Sequence, residues 1–586
     1  MNYNEIFSKD NSIYETWRLC NADNPDLPAV EYFGKQWTFG EVDEMIDVYA
    51  HAFMSLLPDR SKSVTFCVPT LPSMIFAFYA LNKIGVRANF ISDAILKSDA
   101  SKYLDDTDSE ILFILDKFYS NVATEVNKTK VKTIIVVSLM NDVGDLSKLI
   151  QQIKLSNPDL KRVPKFLIKN KMKSAFSKIK AKYAVCGKEI INLSEFISFS
   201  ENNTTPVEQR FTPNETAVVL YTGGSTGIPK GVEKTNEEFL AMARIYVKMN
   251  FFNLKAGARK LVLIPPNHPT SFVHSIILPW VSGKTLVLQP IYSKLTFAYD
   301  LFNLKPQILI AAPSHYATLP KCSLPDGALS HLKVAFCGGE AVSLELANSV
   351  NNALERLGAQ RPCIISCYGM SELGPLTHNS FFMSTPLNKV GSPIPEVVAR
   401  IVDDSGNILG DNIRGNLEIK TPCRMKGYFK QPELTKVFFT DDGFAITGDI
   451  AVRDEDGNYD VLGRATDLIV APDGTKVYLF DIERIVYKDS AVLECEVIGL
   501  EVGGKKVPVV HIILNPEYIE KDEEVIPRIH KLCQEHLTKN EMPQGYKIRE
   551  TFATNQISAK RDIASLALER DGYFAVENGV LRAVSF

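Results

Sequence analysis

No apolar run in this chain approaches the ~20 residues needed to span a bilayer; the longest, such as 74–81, stop far short of it. The ten cysteines are scattered and never form a Cys-x-x-Cys pair. That excludes the common zinc-site spacings and a disulfide framework, and it fits a reducing cytoplasm. Charge of neither sign prevails: the net charge is −4, with 23% charged residues. Nothing global therefore points to nucleic acid as a partner. The N-terminal Met1-Asn2-Tyr3-Asn4-Glu5 carries no signal-peptide pattern. Internal repeats and low-complexity linkers are absent as well. A soluble cytoplasmic protein is expected. At 586 residues the chain is too long for one ordinary core, so two or more domains are expected.

What the chain does have is a dense small-residue loop, Tyr221-Thr222-Gly223-Gly224-Ser225-Thr226-Gly227-Ile228-Pro229-Lys230-Gly231, between an apolar run and a helix start. Thr216-Ala217-Val218-Val219-Leu220-Tyr221 reads as a buried strand, and Thr235-Asn236-Glu237-Glu238 has the Thr-x-x-Glu spacing of a capping box. Glycines let backbone N–H groups approach an anion closely, hydroxyls add donors and lysine adds charge, which is the chemistry that holds a polyphosphate. Gly-x4-Gly-Lys-Ser/Thr cannot be laid over the loop, because Pro229 precedes Lys230. The plainer alternative is a glycine-rich surface loop.

Helical and strand-like segments alternate through the first two hundred residues, for example Ser63 to Val68, Met74 to Ile84 and Lys132 to Val137. This predicts an α/β architecture with a mostly parallel sheet covered by helices. Further on, Ile308-Leu309-Ile310-Ala311-Ala312, Leu332-Lys333-Val334-Ala335-Phe336 and Cys363-Ile364-Ile365-Ser366-Cys367 read as short buried strands. They run into loops at Pro313-Ser314, Gly338-Gly339-Glu340 and Tyr368-Gly369-Met370-Ser371-Glu372. Ligands collect beyond the carboxyl ends of such strands, so these loops should converge on the site of the first one. From 390 to 464 the texture becomes alternating strands with turn signals, a small β subdomain. A compact α+β segment follows, with a boundary placed at 464–467. The expected domains are thus 1–464, including the subdomain 390–464, and 465–586.

Several short segments add chemistry. In Tyr368 to Glu372 an aromatic ring at a strand end can stack on a purine, the Ser371 hydroxyl can bond a phosphate and Glu372 can hold Mg²⁺. Asp449, in Thr447-Gly448-Asp449, is suited to accept hydrogen bonds from both ribose hydroxyls. Arg464, in Gly463-Arg464-Ala465-Thr466-Asp467, would reinforce that contact. Taken singly, each has a plainer reading: a packing feature with a turn, a β-turn aspartate, a surface arginine.

In combination and in order, these segments resemble the adenylate-forming superfamily of acyl-CoA synthetases, peptide-synthetase adenylation domains and luciferases, and most of all an acyl-CoA synthetase. The loop matches the phosphate-binding signature Thr-Ser-Gly-Ser-Thr-Gly-x-Pro-Lys-Gly, with Gly223 in place of the first serine. Tyr368 to Glu372 matches Tyr-Gly-x-Thr/Ser-Glu, about 140 residues after the loop. Gly338-Gly339-Glu340 resembles the turn against the adenine edge, and Thr447-Gly448-Asp449 the ribose motif. Lys476 to Glu483 fits Val-x-Pro-x-Glu-Ile-Glu, with Leu479 replacing proline. Ser558-Ala559-Lys560-Arg561-Asp562 resembles Ser-Gly-Lys-Ile-Asp/Arg, with Ala559 replacing glycine. The resemblance implies ATP contacts at Thr222, Gly223, Gly224, Ser225, Thr226, Gly227, Lys230, Gly338, Gly339, Glu340, Tyr368, Gly369, Met370, Ser371, Asp449 and Arg464. It also implies a metal ligand in Glu372, a catalytic lysine in Lys560 and a hinge at Thr466 for a small, mobile C-terminal domain. Pro265-Pro266-Asn267-His268 resembles the segment beside the acyl pocket, which makes His268 a gate or pocket wall.

The implied reaction consumes a carboxylic acid, ATP with Mg²⁺, and coenzyme A. Peptide-synthetase domains usually place an aspartate just after this histidine segment to pair a substrate ammonium. Here 251–299 contains no Asp or Glu, which favours an apolar acid, with fatty acids first and aryl or polycyclic acids remaining open. Loading of a free carrier protein, or a nucleotide-binding homologue that has lost catalysis, are the alternatives. The segment 161–182 holds nine Lys/Arg and no acid, with Ile168, Met172, Phe176 and Ile179 at helical spacing. It reads either as a solvated lysine face packed through its apolar stripe or as a peripheral contact with an anionic membrane. The sequence fixes no oligomeric state.

Overall fold

Ser63–Cys67, Ser109–Leu115 and Thr133–Val137 are apolar almost throughout instead of alternating, and their strands are buried nearly throughout on both faces. That is the pattern of parallel strands covered on both sides. The computed structural model describes all residues except 1–2, 157–186, 202–205, 223–228, 250–253, 292–295, 340–341, 343, 382–388, 472, 515–521, 554–562 and 578–579. The basic segment 161–182 therefore lies outside the described residues. No described helix is long and apolar enough to cross a membrane.

The chain forms two compact units, Met1–Val398 with Ile419–Ala445, and Ala399–Glu418 with Ile446–Phe586. The first carries two large sheets. One runs in the order Gly427–Tyr428, Lys230–Thr235, Thr216–Thr222, Arg87–Phe90, Ser63–Cys67, Ser109–Leu115, Thr133–Val137, Glu189–Asn192. Neighbours among its first three strands pair antiparallel, and the remaining pairs are parallel. The other runs Ser392–Pro393, Gly374–Asn379, Ile364–Met370, Val334–Gly338, Ile308–Ala311, Arg259–Val262, Thr285–Leu288, Pro28–Tyr32, Lys35–Thr38. It is parallel in the middle and antiparallel towards both edges. The expected α/β class is the observed one.

The helix Pro72–Lys83 is buried at every residue, which explains an apolar run with no polar face. Its Phe78 meets Phe272 at 4.9 Å and Phe90 at 6.1 Å between ring centroids. Tyr79 meets Trp280 at 5.0 Å and Trp17 at 5.5 Å. These rings, each burying on the order of 150–250 Å², form the core beside which the candidate site lies.

In the second unit a four-stranded sheet of Val398–Val402, Gly415–Lys420, Ala445–Arg453 and Tyr459–Arg464 is linked by turns of shared design. Asp403 accepts from the Asn407 amide at 2.9 Å and Asp454 from the Asn458 amide at 2.7 Å, the side-chain turns that the Asp/Asn/Gly clusters announce. A five-stranded sheet from Val492–Val502 to Val580–Val584 carries the helices Leu479–Val486 and Asp522–His536. Ion pairs Arg414–Asp481 and Arg484–Asp460, each closing to 2.7 Å, and Lys476–Asp404 at 2.8 Å tie the two sheets' segments together.

Candidate active site

The glycine loop is the connection of a β-hairpin. Thr216–Thr222 pairs antiparallel with Lys230–Thr235, with Thr222 opposite Lys230, so the sheet fixes both ends of the loop. The six residues Gly223–Ile228 lie outside the described residues. The loop was expected to run directly into a helix. A strand intervenes instead, and the helix Asn236–Met249 begins only after it. Its capping box is present: Glu238 Oε2 accepts from the Thr235 amide at 3.1 Å and Thr235 Oγ1 from the Glu238 amide at 3.4 Å. The helix Asn236–Met249 thus starts a strand's length beyond the loop and not at its end.

Gly338 ends the strand Val334–Gly338 opposite Cys367, close enough that a Cβ at 338 would meet the Cys367 carbonyl oxygen at 3.0 Å. Gly339 turns the chain with φ +94°, and Glu340 lies outside the described residues. Tyr368, Gly369 and Met370, expected in a loop, instead extend the strand Ile364–Met370 and pair with Gly374–Asn379. Tyr368 stands opposite His378, their rings 5.8 Å apart edge to face. Burial holds His378 neutral, pushing it down to about 3. Ser371, Glu372 and Leu373 form the tight turn of this hairpin, closed by the Leu373 amide on the Met370 carbonyl at 3.1 Å.

Glu372 is buried, at 8% exposure. Its Oε1 accepts from the Tyr428 hydroxyl at 2.8 Å, and its carbonyl accepts from the Met425 amide at 2.6 Å. Its Oε2 has no hydrogen-bond partner among the described residues. A carboxylate with one oxygen pinned and the other open suits a hard cation such as Mg²⁺. The Lys230 ammonium sits 5.4 Å from the centre of the Tyr428 ring. Tyr428 thus joins the lysine at the end of the phosphate loop to the candidate metal carboxylate. Behind them Lys234, also buried, donates to the Cys423 carbonyl at 2.9 Å and stands 3.8 Å from Glu238. Burial moves both towards neutrality, Lys234 downward and Glu238 up to about 8. A small cavity opens beside this pair, lined among others by Leu220, Phe239, Met242 and Ser371.

His268 is exposed and precedes a helical stretch, Pro269–Phe272, Val273–Ile277 and Leu278–Val281, buried from Ser271 onwards. The middle piece is a π-turn with a local cause. Buried Lys260 donates to the His274 carbonyl, and Pro279 has no N–H to offer the preceding turn. Burial pushes Lys260 down to about 7.

In the second unit Asp449 is buried and faces Arg464 across an antiparallel pair, with Arg464 Nε 3.1 Å from its Oδ1. Arg464 also donates to the Thr447 carbonyl at 3.1 Å, and Thr447 Oγ1 accepts from the Asp449 amide at 3.1 Å. Two residues fifteen apart in sequence are brought into contact as the motifs suggest. Thr466 is exposed two residues after Arg464. Lys560 lies outside the described residues.

Tyr428, Lys234 and Lys260 were not foreseen, and Glu238 was expected only as a helix cap. Tyr428 sits in a strand of two residues, Gly427–Tyr428, too short to show periodicity.

A family model described as "AMP-binding enzyme" matches residues 18–429, well over half of the chain. The chain belongs to the AMP-binding enzyme family. Among curated members it is similar to a long-chain-fatty-acid–CoA ligase of Bacillus subtilis, 24% identical over 537 residues that cover 90% of this chain and 89% of that one. It is also similar to a medium-chain fatty-acid–CoA ligase of Escherichia coli, 23% identical over 88% of this chain and 84% of that one. Its fold matches a benzoate CoA ligase from Burkholderia xenovorans with a TM-score of 0.75 at 16% identity, covering 95% of this chain and all of that one.

Proposed function

We propose that this family member is an AMP-forming acid–thiol ligase that activates an apolar carboxylic acid, a fatty acid first, with ATP and passes the acyl group to coenzyme A. The ligase class is supported by family membership and by the CoA ligases it resembles along nearly its whole length. The choice of acid rests on one observation: 251–299 supplies no carboxylate to pair a substrate ammonium. The charged residues buried in that stretch, Lys260 and Lys284, are both lysines, and an amino group would meet no counter-charge there.

A carboxylate is a poor electrophile at neutral pH. Moving AMP onto it gives a mixed anhydride with a good leaving group, which a thiol can attack. Attack on the α-phosphate mainly requires charge neutralisation and positioning. In this reading the loop 222–230 holds the departing pyrophosphate, Tyr368 carries the base, and Asp449 with Arg464 fixes the ribose. Glu372 holds Mg²⁺, which when bound offsets phosphate charge. Lys560 sits between the carboxylate and the α-phosphate, reducing repulsion between two anions. Turning about Thr466 would withdraw Lys560 for the thiol step.

A panel of fatty, aryl and amino acids with ATP, Mg²⁺ and CoA tests the reading, scored for AMP and acyl-CoA by chromatography. Acid-dependent AMP with matching thioester is expected, highest for fatty acids. Release of ADP, or AMP release indifferent to the acid, would overturn it.

A further inference from the structure

Glu372 is the residue on which metal binding in the proposed reaction depends, yet its turn alone does not fix where its carboxylate points. Two groups compete for it. One is the Tyr428 hydroxyl, 2.8 Å from Oε1. The other is the buried ammonium of Lys234, whose charge interacts with Glu372. A buried carboxylate that swung onto a buried ammonium would form an ion pair and lose its open oxygen.

We infer that Tyr428 is a positioning residue: its hydroxyl holds the Glu372 carboxylate away from Lys234 with one oxygen directed to the metal. Tyr428 is itself held rigidly enough for this. Its strand pairs with Lys230–Thr235, Tyr428 opposite Val232. Its amide donates to Thr435 Oγ1 at 2.8 Å, and its ring meets Phe438 edge to face at 5.7 Å. The ring is buried, at 5% exposure. A ring held on these sides keeps its hydroxyl on Glu372 Oε1. Because the same ring lies under the Lys230 ammonium, the positions of a phosphate-loop cation and of the metal carboxylate are set by one side chain.

The inference rests on the reading of Glu372 as the metal ligand, so the test separates the two. Mn²⁺ serves as the probe in place of Mg²⁺. It is titrated by electron paramagnetic resonance into the full-length protein with an ATP analogue carrying a methylene bridge between the α- and β-phosphates. Tyr428→Phe keeps the ring and removes the hydroxyl. It should weaken Mn²⁺ binding roughly tenfold, the scale of one hydrogen bond to a charged group. Raised Mg²⁺ should restore its adenylation rate, with the KM for the acid unchanged. Partial unfolding would lower the number of sites and not their affinity. Wild-type Mn²⁺ affinity in Tyr428→Phe beside a large loss in Glu372→Gln overturns the positioning role and leaves the metal reading standing. Wild-type affinity in both variants overturns the metal reading and the inference with it.

Discussion

Replacing Gly369 by alanine strikes the strand that leads into the Glu372 turn without touching any charged group. A Cβ built at 369 would lie 2.4 Å from both the carbon and the oxygen of the Pro375 carbonyl, and 2.7 Å from the Leu376 nitrogen. Comfortable carbon–carbon contact is about 3.5–4.0 Å, so more than an ångström must be found. All three obstructing atoms are backbone, so no side chain can swing aside. The hairpin of Ile364–Met370 and Gly374–Asn379 must spread. Overpacking of this kind costs about 1–3 kcal/mol, and a purely backbone clash belongs at or above the upper end. Gly369 lies in a unit of more than four hundred residues, where the unfolding entropy makes each kcal/mol worth only about 1 °C, so a drop of roughly 3 °C in the melting temperature is expected. Glu372 lies three residues downstream and should move off the Tyr428 hydroxyl. Carboxylate-dependent pyrophosphate exchange should fall with the stability, and the Mg²⁺ requirement should rise. Gly410→Ala is the control, because a Cβ there meets nothing within 4 Å and its φ is ordinary. A Gly369→Ala protein that melts and exchanges like the Gly410→Ala control would refute the packing argument.

Asp449→Ala should weaken ATP binding by removing a charged acceptor worth about 1.5–3 kcal/mol per hydrogen bond. The variant should no longer distinguish ATP from 2′-deoxy-ATP in exchange assays, whereas the wild type should. Lys560→Ala should nearly abolish acyl-adenylate formation and leave thioester formation from supplied acyl-adenylate largely intact, measured as separate half-reactions. His511 is fully buried, and Arg549 Nε donates to its Nδ1 at 2.9 Å, so the neutral ring carries its hydrogen on Nε2 towards Tyr573. Burial pushes it down to about 3, so the unfolded chain takes up the proton first. The stability it contributes is present above pH ~6.5 and is lost as the pH falls towards 3, about 2 kcal/mol by pH 5. Denaturant titrations of the second unit should show that slope, and His511→Gln should flatten it.

The fold class was legible because it rests on patterns a few residues long. The strand at Thr216, the capping box at Thr235 and the Asp-Asn turns of the second unit all stand where local spacing puts them. Sequence alone places Tyr368 to Met370 in a loop, since Tyr-Gly at a strand end suggests a turn. In the structure the glycine is there because Pro375 of the partner strand leaves no room for a Cβ, a fact fixed by pairing that no local window contains. Tyr428 escaped notice for a related reason. Its partner is 56 residues away, and the two-residue strand that delivers it has no pattern to read. Lys260 was invisible because a lysine between strand residues reads as solvent-facing, whereas here it caps a carbonyl inside the core. Asp449 and Arg464 were legible as a pair only through the family resemblance, and the antiparallel register brings them into contact.

The aromatic core of the first unit has a spectroscopic consequence. The chain has three tryptophans, Trp17, Trp37 and Trp280, all buried and all in that unit. Trp17 and Trp280 lie 5.5 Å apart with the Tyr79 ring against both, and Trp37 lies edge to face with Phe76 at 5.7 Å. Indole emission therefore watches one unit while the other stays dark, and circular dichroism sees both. Acid that protonates His511 would take ellipticity from the five-stranded sheet of the second unit, whereas acid that protonates His378 in the first would also red-shift the indole spectrum. The two signals together turn one titration into separate unfolding curves for the two units, with no label added.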